Sequence, residues 1–383
     1  MSKATKIIKT LHLASFNGNI GDLANHKGAK RLFSKYLDFK FEYTNLEIRD
    51  FYWKKKSFDK DFIDYANQFD LFIIGGGNYF ELWVDNSSTG TSIDIQLTLL
   101  RELKIPTIFY SLGVDIGQGY TPTSARRFND FLKVIIEQKN LFFCVRNDGS
   151  KNALKKVSES EIFSKIPVMP DGGFFASEKK SIENLKQSNS IGINIAGDML
   201  NQRFNDEVNK EYFINSFKEI TEELLDYNPK LNIYFVPHIW KDLILINDIF
   251  KILKDEYLRK KVFLEKLEPN KNGLNDFLDS YSKYDLVLGM RFHANVCPIG
   301  LETPTIGLVN YPQIKFLYEE LFLDNRFIDV TEKEFKEKII ENTKLDLANI
   351  SSIKTKYRKI KDDLNTQAYD VMLLINNWMK SFF

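Results

Sequence analysis

The residues best suited to chemistry stand where apolar runs end. In Leu286-Val287-Leu288-Gly289-Met290-Arg291-Phe292-His293, a guanidinium and an imidazole lie two positions apart, just before a helical stretch that begins near Ala294. If the strand continues through them, alternation puts both side chains on one side. A cation, an imidazole and a helix N-terminus at one point describe an anion site with a titratable group. The competing reading makes His293 a buried histidine satisfied by the core. Another run, Phe235-Val236-Pro237-His238, ends on one of only four histidines, with Asp242 following about one helical turn later.

The first half of the chain offers similar strand ends. Asn17-Gly18-Asn19-Ile20-Gly21-Asp22 combines glycines for a tight turn with amides that a following helix would present to an anion or a sugar hydroxyl. It is neither G-x-G-x-x-G nor a Walker A loop, and its plainer reading is an Asn/Gly turn with Asp22 as N-cap. Gly75-Gly76-Gly77-Asn78 follows Leu71 to Ile74, and consecutive glycines suggest positive φ, tight packing or a ligand against bare backbone. Asp115 lies in the loop expected after Thr107 to Ser111, as a cap or a catalyst. Arg146-Asn147-Asp148 ends a further run, and Arg146 either grips an anion bidentately or pairs with Asp148.

These ends need a scaffold, and the pattern supplies one. Apolar runs at Ile7 to Ala14, Phe39 to Leu46, Leu71 to Ile74, Thr107 to Ser111, Leu141 to Val145 and Ile166 to Met169 read as strands. Helical periods fit between them at Leu23 to Tyr36, Phe62 to Gln68, Ile93 to Leu103, Ala125 to Gln138 and Ser150 to Val157. After the polar stretch Ser177 to Asn189 the alternation restarts, with strands at Ile191 to Ile195, Ile233 to Val236, Val262 to Leu264, Leu286 to Leu288 and Thr305 to Val309. The expected division is therefore a Rossmann-like domain over residues 1–185, a second over 186–345, and a helical tail over 346–383 with Val371, Leu374, Ile375, Trp378 and Phe382 near one face. In such α/β sheets ligands sit beyond the carboxyl ends of the strands.

Composition narrows the partners. The 383 residues carry 53 Lys+Arg against 52 Asp+Glu, with no basic stretch beyond Lys54-Lys55-Lys56, which argues against nucleic acid. Two cysteines, Cys144 and Cys297, sit in apolar runs, so neither a disulfide framework nor a thiolate zinc site is expected, and a reducing compartment is. The start, Met1 to Lys6, lacks a signal-peptide pattern, and no apolar run reaches the roughly 18 residues of a membrane span. We expect a cytoplasmic protein. The tail could pack on the first domain or lie peripherally on the inner membrane, and its few basic residues favour the first. The aromatic stretches Tyr79 to Trp83 and Phe51 to Trp53 could stack on sugars, though core is the commoner use.

Taken together, Gly18-Asn19-Ile20-Gly21-Asp22, Gly75-Gly76-Gly77, Arg146 with Ser150, Pro170-Asp171, Gly289-Met290-Arg291-Phe292-His293, Gly300-Leu301-Glu302-Thr303-Pro304-Thr305, and Tyr311 to Lys315 resemble the polysaccharide pyruvyl transferase family. The elements occur in the family's order, over residues from about 10 to 320. The resemblance implies an α/β, GT-B-like architecture of two Rossmann-type domains with parallel sheets facing a central cleft, the first domain serving the acceptor and part of the donor site. It implies phosphoenolpyruvate as donor, no cofactor, and a ketal formed across two hydroxyls of a sugar or lipid-linked oligosaccharide in a cell-surface glycan. Arg291 and His293 look like the family's donor-binding Arg-x-His, with Arg146 a second cation. Where the family has an acid directly after that arginine, this chain has Asn147, with Asp148 beyond it.

The chemistry expected of such a site is specific. Phosphoenolpyruvate brings a carboxylate and a phosphate, and its methylene carbon must be protonated as a sugar oxygen adds to the neighbouring carbon. Arg146, Arg291 and Lys315 can supply cations; Asn19, Gly21, Asp22, Gly76, Gly77 and Asn78 line the substrate-binding strand ends; His293 serves as acid, with His238 or Asp115 as base. No residue set suggests a metal. Two alternatives use the same fold: a glycosyltransferase with a nucleotide-sugar donor, and a non-catalytic sugar-binding protein.

Overall fold

The computed structural model describes residues 6–158, 161–177, 188–199, 204–205 and 207–383. The start of the chain, Met1 to Thr5, and the division expected at 185/186 lie outside the described residues. The chain forms two compact units, one of Met1–Phe16, His26–Gly172 and Leu364–Phe383, the other of Asn17–Asn25 and Gly173–Asp363.

The first unit is built on β1 (Ile7–Ala14), β2 (Lys40–Glu47), β3 (Leu71–Glu81), β4 (Thr107–Asp115), β5 (Leu141–Arg146) and β6 (Val168–Met169), a parallel sheet in the order β2-β1-β3-β4-β5-β6. Strands covered on both faces read as unbroken apolar runs, and β4 is buried along its whole length. Phe80 shows how the core closes: its ring meets those of Phe109, Phe128, Phe131 and Phe143. The chain order reverses between β1 and β3, where such sheets put ligands.

Three expectations are corrected here. β3 does not stop at Ile74 but runs through the glycines to Glu81, with Gly75 at φ +129° and a bulge between Gly77 and Phe80 that returns Glu81 to register with Asp115. A left-handed φ inside a paired strand is what Gly75 permits and an L side chain resists. β4 likewise continues past Ser111, so Asp115 is the last residue of a strand and not a loop residue. Of the helix expected over Ile93 to Leu103, only Leu97–Leu100 forms, because Ile93 and Ile95 are buried in irregular chain.

The second unit holds β7 (Ser190–Asn194), β8 (Asn232–Phe235), β9 (Val262–Leu264), β10 (Leu286–Gly289), β11 (Thr305–Val309) and β12 (Phe327–Asp329), parallel in the order β12-β11-β10-β7-β8-β9. Its order reverses between β7 and β10. The short edge strand β12, absent from the sequence expectation, pairs with β11. Helix α1 (Ile20–Tyr36) opens inside this unit, where Ile20, Leu23 and Ala24 pack with Ala294, Cys297 and Leu301.

The final helix, Phe335–Met379, begins earlier than the sequence suggests and is broken at Asn349, where φ is −124° and ψ 19°. Its last part belongs to the first unit. There the buried stripe is Leu364, Ala368, Val371, Met372, Ile375 and Met379, whereas Leu374 and Phe382 of the expected face are exposed. Asn376 clasps Asp38 through its backbone amide at 3.0 Å and its carboxylate at 2.9 Å, and the Trp378 indole donates to the Lys139 carbonyl at 2.9 Å. Among the described residues no helix is long and apolar enough to cross a membrane.

Candidate functional site

In the second unit the polar residues gather beyond β7, β8 and β10. β10 ends at Gly289 and His293 is already the first residue of the helix His293–Gly300. Arg291 and His293 therefore do not alternate along a strand, as the spacing suggested; they are presented by the turn between strand and helix. That turn is pinned. Asn194 at the end of β7 accepts the Arg291 amide at 2.9 Å, and Asn295 donates to the carbonyls of Gly289 and Arg291, each at 2.9 Å.

The Arg291 guanidinium is gripped by carboxylates. Its Nε donates to both oxygens of Asp242, at 3.1 Å and 2.8 Å, and Nη2 bonds Asp242 Oδ1 and, at 2.7 Å, Asp198 Oδ1. Asp242 is fully buried and also accepts the amides of Gly197 and His238, each at 2.9 Å, and of Ile239 at 3.2 Å. Burial would lower the Arg291 pKa, but Asp242 and Asp198 outweigh it and hold the group above its ordinary value. Arg291 is a permanent cation whose charge is already matched.

His238 and His293 differ. His238 is fully buried; its Nε2 shares a hydrogen bond with Tyr281 Oη at 2.8 Å, while its Nδ1 has no hydrogen-bond partner among the described residues. Burial, then the nearby Arg291 and His293, drive its pKa well below the ordinary histidine value, so it is neutral at pH 7. His293 Nδ1 lies 3.7 Å from Asp22 Oδ1 in the first turn of α1. Gly21 is required by closeness: a Cβ there would stand 2.6 Å from His293 Cβ. Asn19, not Asp22, bonds the helix start, its Oδ1 accepting the Gly21 amide at 3.0 Å. The Ile20 amide donates to the His238 carbonyl at 3.3 Å.

In the first unit, Arg146 is buried and forms the ion pair with Asp148, Nε and Nη2 reaching Oδ2 at 2.8 Å and 2.7 Å, with Asp171 at 3.5 Å from Nη1. Ser150 donates to Asp148 and accepts the Val114 amide at 2.7 Å, and Asn147 accepts the Asp171 amide at 3.0 Å. A Cβ on Gly113 would come within 2.5 Å of Asn78 Oδ1 and 2.9 Å of Arg146 Nη2. Asn78 donates to Asp115 at 2.8 Å. Beside Asp115, Glu81 bonds Ser92, and burial pushes its carboxyl up to about 7. The backbone of Gly76 and Gly77 lies within β3, and the Gly75 carbonyl oxygen is 2.9 Å from His12 Nε2.

Lys315 stands half exposed on the helix Pro312–Glu320, with its ion pair to Glu319 at 3.8 Å. Among the aromatics, Phe51, Tyr79 and Phe80 are core, while Tyr52 and Trp53 are exposed. Asp198 and Glu81 were not singled out from the sequence. Asp198 closes Ile195-Ala196-Gly197-Asp198 just past a strand, the same signal that drew attention to Asp115. Glu81 is hidden by the assumption that β3 ends at its glycines.

Two six-stranded parallel sheets, each with polar residues clustered at its carboxyl edge, define a GT-B-like protein of two α/β domains. Solved structures share this fold. UDP-GlcNAc 2-epimerase from Neisseria meningitidis bound to UDP-GlcNAc is 14% identical with a TM-score of 0.56, over 96% of this chain and 100% of its own. S. aureus MnaA with UDP is 10% identical at 0.53, over 91% and 90%, and the glycotransferase of kitacinnamycin is 10% identical at 0.53, over 98% and 100%. At these identities the likeness is one of fold. No curated protein matches the sequence. The chain belongs to the polysaccharide pyruvyl transferase family, whose model matches residues 19–311.

Proposed function

We propose that the chain transfers pyruvate from phosphoenolpyruvate onto two hydroxyls of one sugar, closing a ketal and releasing phosphate, in the cytoplasmic assembly of a cell-surface polysaccharide. Family membership supports the transferase class. The observation that supports an anionic donor is the turn after β10, where the Arg291 guanidinium and the His293 imidazole stand together in the second unit with the first turn of α1 against His293.

The balance of the reaction sets the roles. One sugar oxygen bonds to the donor's central carbon while its methylene carbon gains a proton and becomes a methyl group. The second sugar oxygen then bonds to that carbon as the C–O bond to phosphate breaks, so one hydroxyl proton ends on carbon and the other leaves with phosphate. Arg291 holds the donor's anionic group. His293, buried at the start of the helix that follows the turn, moves the proton. His238 stays neutral behind them, through the burial that depresses its pKa, and orders the site through Tyr281.

The test is incubation with phosphoenolpyruvate and a panel of free and lipid-linked sugars, following phosphate release and the acceptor's mass. Phosphate release with a pyruvate ketal on the acceptor is the expected result. Nucleotide release from a sugar nucleotide, with phosphoenolpyruvate untouched, would select a glycosyltransferase and overturn the proposal.

A further inference from the structure

Arg291 has two usable edges, and the structure fills them unequally. The Nε–Nη2 edge faces Asp242, a fully buried carboxylate held by three backbone amides. Among the described residues the terminal fork, Nη1 with the remaining N–H of Nη2, meets Asp198 through one bond at 2.7 Å. The side chain of Asp242 is 0% exposed and that of Asp198 is 23% exposed. Asp242 belongs to the helix Asp242–Phe250, whereas Asp198 lies in irregular chain beyond β7. One carboxylate is part of the frame, and the other sits on the face of the guanidinium that a ligand would use.

The charges sharpen the point. Around this guanidinium one cation faces two carboxylates, and each carboxylate repels a phosphate or carboxylate that comes to the same edge. A bidentate anion needs both N–H groups of the terminal fork, and Asp198 already holds one of them. An anionic ligand therefore cannot take this edge unless Asp198 gives it up.

We infer that Asp198 is a displaceable counter-anion that occupies the terminal fork of Arg291 and sets how tightly the site takes its anionic donor. Asp242 fixes where the guanidinium points, and Asp198 holds its free edge until a ligand with stronger charge replaces it. This inference rests on the reading that Arg291 receives the donor's anion. Asp198 acts through Arg291, so it is a positioning residue whose effect falls on binding rather than on the chemical step.

The test measures inorganic phosphate and phosphoenolpyruvate binding by calorimetry to the full chain and to Asp198→Asn, Asp198→Ala and Arg291→Gln, with thermal unfolding as a check that each variant folds. Asp198→Asn removes the competing charge and keeps the shape; it should lower the Kd for both anions about tenfold, as expected for losing a charge-assisted competitor. In turnover, the KM for phosphoenolpyruvate should fall by a similar factor with kcat unchanged. Unchanged or weaker anion binding in folded Asp198→Asn and Asp198→Ala overturns the inference. If folded Arg291→Gln binds both anions as the unaltered chain does, the donor reading itself fails, whatever Asp198 does.

Discussion

Gly21 and His293 leave each other no spare space. A Cβ on Gly21 would stand 2.6 Å from His293 Cβ and 2.8 Å from its Nδ1, and the next residue, Asp22, places a carboxylate oxygen 3.7 Å from that nitrogen. The glycine near the start of α1 thus sets the position of the imidazole. Gly21→Ala must push the ring or the helix aside, because the clash is with the root of the side chain and not with a flexible tip. Displacing a proton-transfer group by about 1 Å costs on the order of a hundredfold in rate. We expect kcat to fall by that order with unfolding temperature little changed, measured by phosphate release and calorimetry. Near-normal kcat would show that His293 does not need its present position.

The fold was largely legible because strands buried on both faces leave unbroken apolar runs, and the runs at Ile7 to Ala14 and Leu141 to Val145 reappear as β1 and β5 with little change. What pattern could not show was continuation without side chains. Gly75 to Gly77 belong to β3 only because β4 lies alongside to accept them, and the three residues of β12 carry too little pattern to be seen. The site was legible in part for the same reason. Arg291 and His293 stand two positions apart in sequence, so spacing found them. The carboxylates that hold Arg291 arrive from other strand ends and meet it only in three dimensions.

Glu81 gives the first unit a pH signature. Burial raises its carboxyl from 4.5 to about 7, Asp115 adds to the rise, and Ser92 and Arg49 oppose it. A raised folded pKa means the folded chain holds the proton more tightly than the unfolded chain. That contribution is therefore complete below 4.5 and is lost as pH rises through about 7. Glu81→Gln, which cannot ionise, should match the unaltered protein near pH 5 and exceed its stability at pH 8 by on the order of 1–3 kcal/mol. Urea unfolding at the two pH values checks this; an equal difference at both would mean that Glu81 is ionised throughout.

His238 should act in the opposite sense. Its folded pKa is held well below 6.5 by burial and by Arg291 and His293, so the unfolded chain binds the extra proton. Its contribution is present above 6.5 and fades as pH falls below that value. His12, buried in the first unit and depressed chiefly by burial and His26, adds in the same direction. The His238 imidazole should show no NMR titration between pH 6 and 8, and His238→Gln should lose less stability than the unaltered chain on moving from pH 7 to 5. A His238 resonance that titrates near pH 6.5 would contradict the burial account.

Arg146 carries the most costly prediction. Its side chain is 5% exposed, that of Asp148 1% and that of Asp171 0%, so the pair is buried on both sides. Breaking a buried pair from one side strands the remaining charge, at about 3–5 kcal/mol. Arg146→Gln removes the cation that reaches both Asp148 and Asp171 and should lose stability of that order in urea unfolding. Arg146→Lys keeps the charge but not the fork that reaches Asp148 through Nε and Nη2, and it should fall between the two. Asp148→Asn in the Arg146→Gln background should recover part of the loss, because it removes one stranded charge, and an additive double variant would show that the two side chains are not energetically coupled. If Arg146→Gln instead unfolds like the unaltered chain and only donor affinity changes, the guanidinium is held for a ligand and the carboxylates merely store it.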